Sequence, residues 1–226
     1  MSEVEIEVWV DVVCPWCYIG KRRLEQAITE SAQPSEVSVT YRAFELDPKK
    51  PAGQGVPVVE RLAHRHSTSL DEARQIAERA AIIGRPDGID MDIDAQVDAN
   101  SFDAHRLIAL GLVQGGPALQ GAVLERLFSA HFAEGKSIDD LESLQRLGAE
   151  AGLDGRRVAA VLASRDYADK VRADGAEAAE LGVTAVPFFV ANRQVALTGA
   201  HSVEVLGKLI TAALEGDHEP AGQSTV

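Results

Sequence analysis

The residues best suited to chemistry are two sulfurs three positions apart: Cys14-Pro15-Trp16-Cys17 contains both cysteines of the chain. A thiolate, not a thiol, attacks a disulfide sulfur, and a second thiol one helical turn away can release the mixed disulfide that forms. The spacing therefore predicts dithiol–disulfide exchange, with Cys14 as an accessible nucleophile at the mouth of a helix. Cys17, further in and more buried, would be the resolving thiol. A helix N-terminus presents free N–H groups and a positive dipole end, and both favour a thiolate. Pro15 stiffens the turn and removes an N–H, and Trp16 adds an apolar lip without charge. A histidine in that place would stabilise the thiolate as an imidazolium, so Trp16 predicts a less oxidising couple than a His-containing motif. The competing use of CxxC is half of a structural zinc site, which needs a second ligand pair at short spacing. The remaining close pair, His64-Arg65-His66, falls on an expected solvated helix. No metal is expected, and no cofactor beyond the dithiol itself.

A second feature lies far downstream. Val186-Pro187 follows the turn Gly182-Val183-Thr184-Ala185 and opens the apolar run Phe188-Phe189-Val190. A proline at a strand entry after such a turn predicts a cis peptide, which would set the Val186 backbone beside the CxxC. That backbone would pair with an extended substrate strand and hold its sulfur in line with Cys14.

The elements that must position these groups are legible from pattern. Ile6 to Val13 is an almost unbroken apolar run, as in a buried parallel strand, and it feeds the CxxC directly. A helix follows from Trp16 to Ile28, broken at Pro34, and Val37 to Phe44 alternates as a second strand. From Val58 to about Ala163 the pattern is helical, with segments at 70–83, 102–113, 119–132, 141–151 and 158–163. A helix over 167–181 precedes two short strands joined by Ala191-Asn192-Arg193-Gln194, a hairpin turn, and 203–214 is a closing amphipathic helix. The reading is a split α/β domain: a βαβ half at 1–56, an all-helical insertion at 57–165, a ββα half at 166–214, and a disordered tail at 215–226.

The charge balance excludes some partners. With 22 basic against 35 acidic residues the net charge is −13, which repels phosphate backbones and anionic lipid. No nucleic acid or membrane partner is expected, and no stretch reads as a membrane span. The acidic start, Met1-Ser2-Glu3-Val4-Glu5, does not resemble a signal peptide, so a cytoplasmic setting is expected, where structural disulfides are rare.

These motifs together resemble the DsbA-like thioredoxin-fold oxidoreductase family, most closely its FrnE-like branch. The resemblance is carried by Asp11 to Gly20 around the CPWC, by Tyr41-Arg42-Ala43-Phe44-Glu45-Leu46-Asp47-Pro48, by Asn100-Ser101-Phe102-Asp103-Ala104-His105-Arg106-Leu107, and by Gly182 to Phe189. It implies a thioredoxin fold with a helical insertion capping the site, Cys14 as exposed nucleophile, Cys17 as its partner and Pro187 as the cis proline. It also implies a groove lined by Pro15, Trp16 and Val186, toward which Asn100 or His105 could project from the insertion. His105 reads equally as a packed core histidine. Asp11 and Glu45, at the strand ends near the dithiol, are candidate proton acceptors for Cys17. Protein or small-molecule thiols and disulfides would be the substrates, with a reducing or oxidising thiol as electron partner. A homodimer contact, if formed, would use the helical block. The superfamily also contains kappa-class glutathione transferases and 2-hydroxychromene-2-carboxylate isomerases, which typically carry serine at the first cysteine position. A small-molecule isomerase or transferase using a low-molecular-weight thiol, on aromatic or polyketide-type substrates, is therefore the alternative function.

Overall fold

The computed structural model describes residues 4–216. Four strands form one mixed sheet in the order β2-β1-β3-β4, with β1 at Val4–Val10, β2 at Val37–Ala43, β3 at Phe188–Ala191 and β4 at Val195–Thr198. Strands β1 and β2 run parallel, Val4 opposite Val37 and Val10 opposite Ala43, joined by helix α1 (Pro15–Glu30). Strand β3 runs antiparallel to β1, with Trp9 opposite Phe188, and the β3–β4 hairpin closes the sheet. Asn192 and Arg193 at its turn both have positive φ (48° and 54°), the left-handed pair that a tight hairpin of this hand requires. Helix α8 (Val203–Gly216) packs on α1. It extends past the expected boundary, so Glu215 and Gly216, assigned to a tail from sequence, are helical; residues 217–226 lie outside the described residues.

Between β2 and β3 stand α2 (Val58–His66), α3 (Leu70–Gly84), α4 (Phe102–Phe132), α5 (Leu141–Glu150), α6 (Gly155–Leu162) and α7 (Ala168–Glu180). Local signals start several of them. Ser69 and Glu72 form a reciprocal capping box on α3, and Asp140 and Asp154 accept the Ser143 and Arg157 amides that open α5 and α6. The core is continuous: Trp9, Ile19 and Phe189 belong to the same buried cluster as Leu107, Leu124 and Phe128 of α4.

Helix α4 bears out one expectation and corrects another. It is the two helices read at 102–113 and 119–132 joined end to end, with Gly115 and Gly116 out of helical geometry ahead of Pro117 as the break between them. By length and composition alone it is apolar enough to cross a membrane, contrary to the absence of span-length stretches read from sequence. Its apolarity has a tertiary use. The bend lets both halves pack inward, and the buried face carries His105, Arg106, Gln120 and His131 as well as leucines. Gln120 holds β2 through its amide, accepting from the Tyr41 N–H at 2.9 Å and donating to the Tyr41 carbonyl at 2.8 Å.

One close approach sets how α1 sits against β3. A methyl group at Gly20 would lie 2.8 Å from Pro187 Cγ and 3.2 Å from Phe189 Cζ. Alanine gains roughly 1 kcal/mol of helix propensity over glycine, but overpacking of this kind costs about 1–3 kcal/mol. Gly20→Ala is expected to lower stability by about 1 kcal/mol in net. A urea midpoint equal to or above that of the parent would show that α1 and the Pro187 segment separate freely.

Candidate active site

Topology brings the reactive groups together. Because β1 and β2 are parallel, both end on one side of the sheet, at Val10 and Ala43. Antiparallel β3 begins on that same side, at Phe188 opposite Trp9. Three connections therefore converge: Asp11–Cys14 leaving β1, Phe44–Asp47 leaving β2, and Val186–Pro187 entering β3.

Cys14 is the residue that caps α1. Its backbone is extended (φ −97°, ψ 111°), and its carbonyl accepts from the Cys17 N–H at 3.0 Å and the Tyr18 N–H at 3.4 Å. Pro15 occupies the first helical position, where a missing N–H has no cost. Both cysteines are free thiols. The Cys14 Sγ–H donates to the Val186 carbonyl at 3.7 Å, and the Val186–Pro187 peptide is cis. The covering Val186 segment makes Cys14 only 4% exposed, which corrects the expectation of an openly exposed nucleophile. Cys17 is fully buried, and Pro15 and Trp16 are half-buried beside it. Burial, then the adjacent Cys14 sulfur and the Asp11 charge, push the Cys17 thiol well above its ordinary range; the Asp11 backbone amide opposes this.

Beneath the dithiol lies a polar group that no exposed surface explains. Asp11 is fully buried. Its Oδ2 accepts from the Leu46 N–H at 2.7 Å, and Oδ1 lies 3.4 Å from both the Val13 N–H and His105 Nε2. Burial alone would raise its pKa. The contact and charge of His105, the Leu46 amide and Ser101 outweigh that and hold the carboxyl below its usual range. His105, in the first turn of α4, is 2% exposed, and its Nε2 has no well-directed hydrogen bond despite its ion-pair distance from Asp11. Glu45 is half-buried nearby, and burial raises its pKa.

The Asn–His–Arg block thus points three ways. Asn100 donates to the Lys50 carbonyl at 2.7 Å and accepts from the Phe102 N–H at 2.9 Å, which ties the loop after β2 to the start of α4. His105 reaches Asp11. Arg106 donates to the Asp166 and Ser164 carbonyls, both at 2.8 Å, and binds Asp103 at 2.6 Å. His64 and His66 lie exposed on α2. Among the described residues, no cluster of three or more His, Cys, Asp or Glu side chains is arranged to hold a metal.

Sequence reasoning missed His131. It is 3% exposed in the second half of α4, edge-on to Phe132 with ring centroids 4.6 Å apart. Burial pushes its pKa down from 6.5 to about 4, against the opposing pull of the Asp11 charge. The native state keeps this ring neutral, whereas the unfolded chain protonates it near the ordinary value. Its contribution to stability is therefore fully present above about pH 6.5 and is lost as pH falls toward about 4. That shift is worth about 3 kcal/mol. Denaturant midpoints are expected to fall across this window, and less steeply in His131→Leu. Parallel curves for the two proteins would exclude His131 as the source.

A family model described as the DSBA-like thioredoxin domain matches residues 5–211. The uncharacterized protein YwbO of Bacillus subtilis is 30% identical over 210 residues, 92% of this chain and 96% of its own. The structure of a probable DsbA oxidoreductase from Streptomyces coelicolor, 35% identical, superposes with a TM-score of 0.91 over 98% of this chain and 94% of that one. A cytosolic disulfide reductase, DsbM of Pseudomonas aeruginosa with GSH, is 21% identical and shares the fold (TM-score 0.61, covering 94% and 97%).

Proposed function

Since the chain belongs to the DSBA-like thioredoxin domain family, we propose that it is a thiol–disulfide oxidoreductase that works through Cys14 and Cys17. The observation that carries this reading is the placement of the Cys14 sulfur, at the N-terminus of α1 and against the Val186 carbonyl, with Cys17 one turn below.

The chemistry balances within the dithiol. The Cys14 thiolate attacks one sulfur of a substrate disulfide, forms a mixed disulfide and expels the other half as a thiolate. Cys17 then attacks Cys14 Sγ, closes the intramolecular disulfide and expels the remaining thiolate. The substrate gains two electrons, and an external thiol reduces the protein again. Run backwards, the same steps oxidise a substrate dithiol. Trp16 and Pro15 frame the approach, and the Val186 edge aligns an extended substrate. The shallow exposure of Cys14 favours slender substrates, a low-molecular-weight disulfide or an extended peptide, over a rigid protein surface. A cytoplasmic setting fits a chain whose cysteines are confined to one motif.

The test is a redox titration. The protein is equilibrated in thiol–disulfide buffers of graded potential, and its free thiols are trapped and counted. One two-electron transition involving both sulfurs is expected, and its midpoint sets the direction of flux. Titration of Cys14 alone, held as a stable mixed disulfide with the buffer thiol, would replace this reading with the thiol-cofactor one.

A further inference from the structure

Helix α4, helix α7 and the edge strand β2 enclose a cavity of about 190 Å³. The two halves of α4 come close at Gly111, where a methyl group would lie 3.1 Å from Gln120 Cα. The cavity lies beside that crossing, bounded by residues of the first half and by Gln120 of the second. Close-packed interiors leave few spaces larger than a water molecule, so a space of this size is unusual.

Both helices turn one stripe toward it. On α4 these residues are His105, Ile108, Ala109, Leu112 and Val113, at the three- and four-residue spacing of a single helical face. On α7, Tyr167, Lys170, Val171 and Asp174 follow the same rhythm. Tyr41 and Ala43 line it from β2, two residues apart and so on one side of the strand. Val113 is 70% exposed, which puts it at the rim. Tyr167 has a φ of 63°, a left-handed value that bulky residues rarely adopt, and this turn sets it in the cavity wall. Cys14, Trp16, Val186 and Pro187 do not border the space.

The polar groups around the cavity are largely engaged with the protein itself. Both ends of the Gln120 amide serve the Tyr41 backbone. Asp174 accepts from Arg42 and from the Ala43 N–H, both at 3.2 Å, and pairs with Lys170. A charged ligand would have to break these pairs or lose its hydration without compensation. His105 differs. It is 2% exposed, and its Nε2, 3.4 Å from Asp11, lacks a well-directed hydrogen bond. It is therefore a polar group with bonding capacity left in a wall otherwise made of Ile108, Ala109, Leu112 and Val171. An apolar cavity of about 150 Å³ already accepts a benzene ring. Tyrosines from two separate elements favour an aromatic occupant through edge and face contacts.

We propose that this cavity is a binding site for a neutral phenol: one aromatic ring whose hydroxyl meets the His105 imidazole. The site is separate from the dithiol and needs no thiol chemistry. Ile108, Leu112 and Val171 hold the ring by apolar contact, and the closed Lys170–Asp174 pair turns away aromatic carboxylates.

The test titrates the full-length protein with 4-fluorophenol and follows the fluorine resonance by NMR. Saturable binding is expected in the wild type. 4-Fluorobenzoate, the same ring with a charge, should bind at least about 10-fold more weakly. Fluorobenzene, which lacks the hydroxyl, should bind about 3- to 10-fold more weakly. Ala109→Phe places a ring in the cavity and should abolish saturation, with an unchanged circular dichroism spectrum as the control for folding. No saturable 4-fluorophenol binding to the wild type would overturn the proposal, and so would equal or tighter binding of 4-fluorobenzoate or fluorobenzene. Undiminished binding to folded Ala109→Phe would overturn it as well. Should Ala109→Phe fail to fold, nuclear Overhauser contacts in the wild type decide the location. Contacts from the ligand ring to the Ile108, Leu112 and Val171 methyl groups are expected, and contacts to Trp16 and Val186 in their place would overturn the proposal by moving the ligand to the dithiol.

Discussion

Cys14→Ser abolishes catalysed disulfide exchange while leaving the fold in place. The hydroxyl is close in size to the thiol and can still donate to the Val186 carbonyl that Cys14 Sγ meets at 3.7 Å. What disappears is the sulfur nucleophile, and with it the mixed disulfide through which electrons pass. Removing the nucleophile from a covalent mechanism costs on the order of 10⁴-fold or more. The loss should appear in an insulin-reduction assay with a dithiol as electron source, with an unchanged thermal midpoint as the control for folding. An unchanged rate in the serine variant would place the chemistry elsewhere and end the dithiol reading.

Cys17→Ala separates the two functional readings. With Cys14 intact but no resolving thiol, attack still occurs and then stalls, so the protein gains the mass of one substrate thiol. A well-oriented intramolecular group acts at an effective concentration of about 10⁵ M or more, which millimolar external thiol cannot replace. Turnover of a protein disulfide is therefore expected to fall by at least about 100-fold. Removing a buried sulfur leaves a small void costing on the order of 1 kcal/mol, too little to unfold the chain. Full activity on a small aromatic substrate with an added low-molecular-weight thiol would reverse the conclusion. In that case the added thiol, not Cys17, would be the working partner, and the protein would be an isomerase or transferase.

Both variants test residues that stand three apart in the sequence. The placement of His105 differs, because its partner Asp11 lies on another element and was joined to it only by folding. On sequence, His105 had two equal readings, groove residue or packed core histidine. The structure places it in the core and against a buried carboxylate. Asn100 carried a similar expectation of reaching the groove, and its amide instead joins Lys50 and Phe102. Nothing local could separate these outcomes, since one helical turn can face a groove or a core without any change in its own pattern.

The chain by itself determined the strand–helix–strand opening, the helical block, the hairpin and the CxxC at a helix mouth. These follow from short-range causes: apolar periodicity, the break at Pro34, capping by Asp140 and Asp154, and the positive-φ turn at Asn192 and Arg193. Tertiary structure decided what depends on bringing distant segments together. It set the angle between the two halves of α4 at the Gly115–Gly116 break, because both halves bury a face in the core. It drew the Val186 carbonyl over Cys14, because antiparallel β3 must start where β1 ends. It set His105 behind Asp11, because a carboxylate buried beneath the dithiol needs charge and hydrogen-bond partners that its own segment cannot supply.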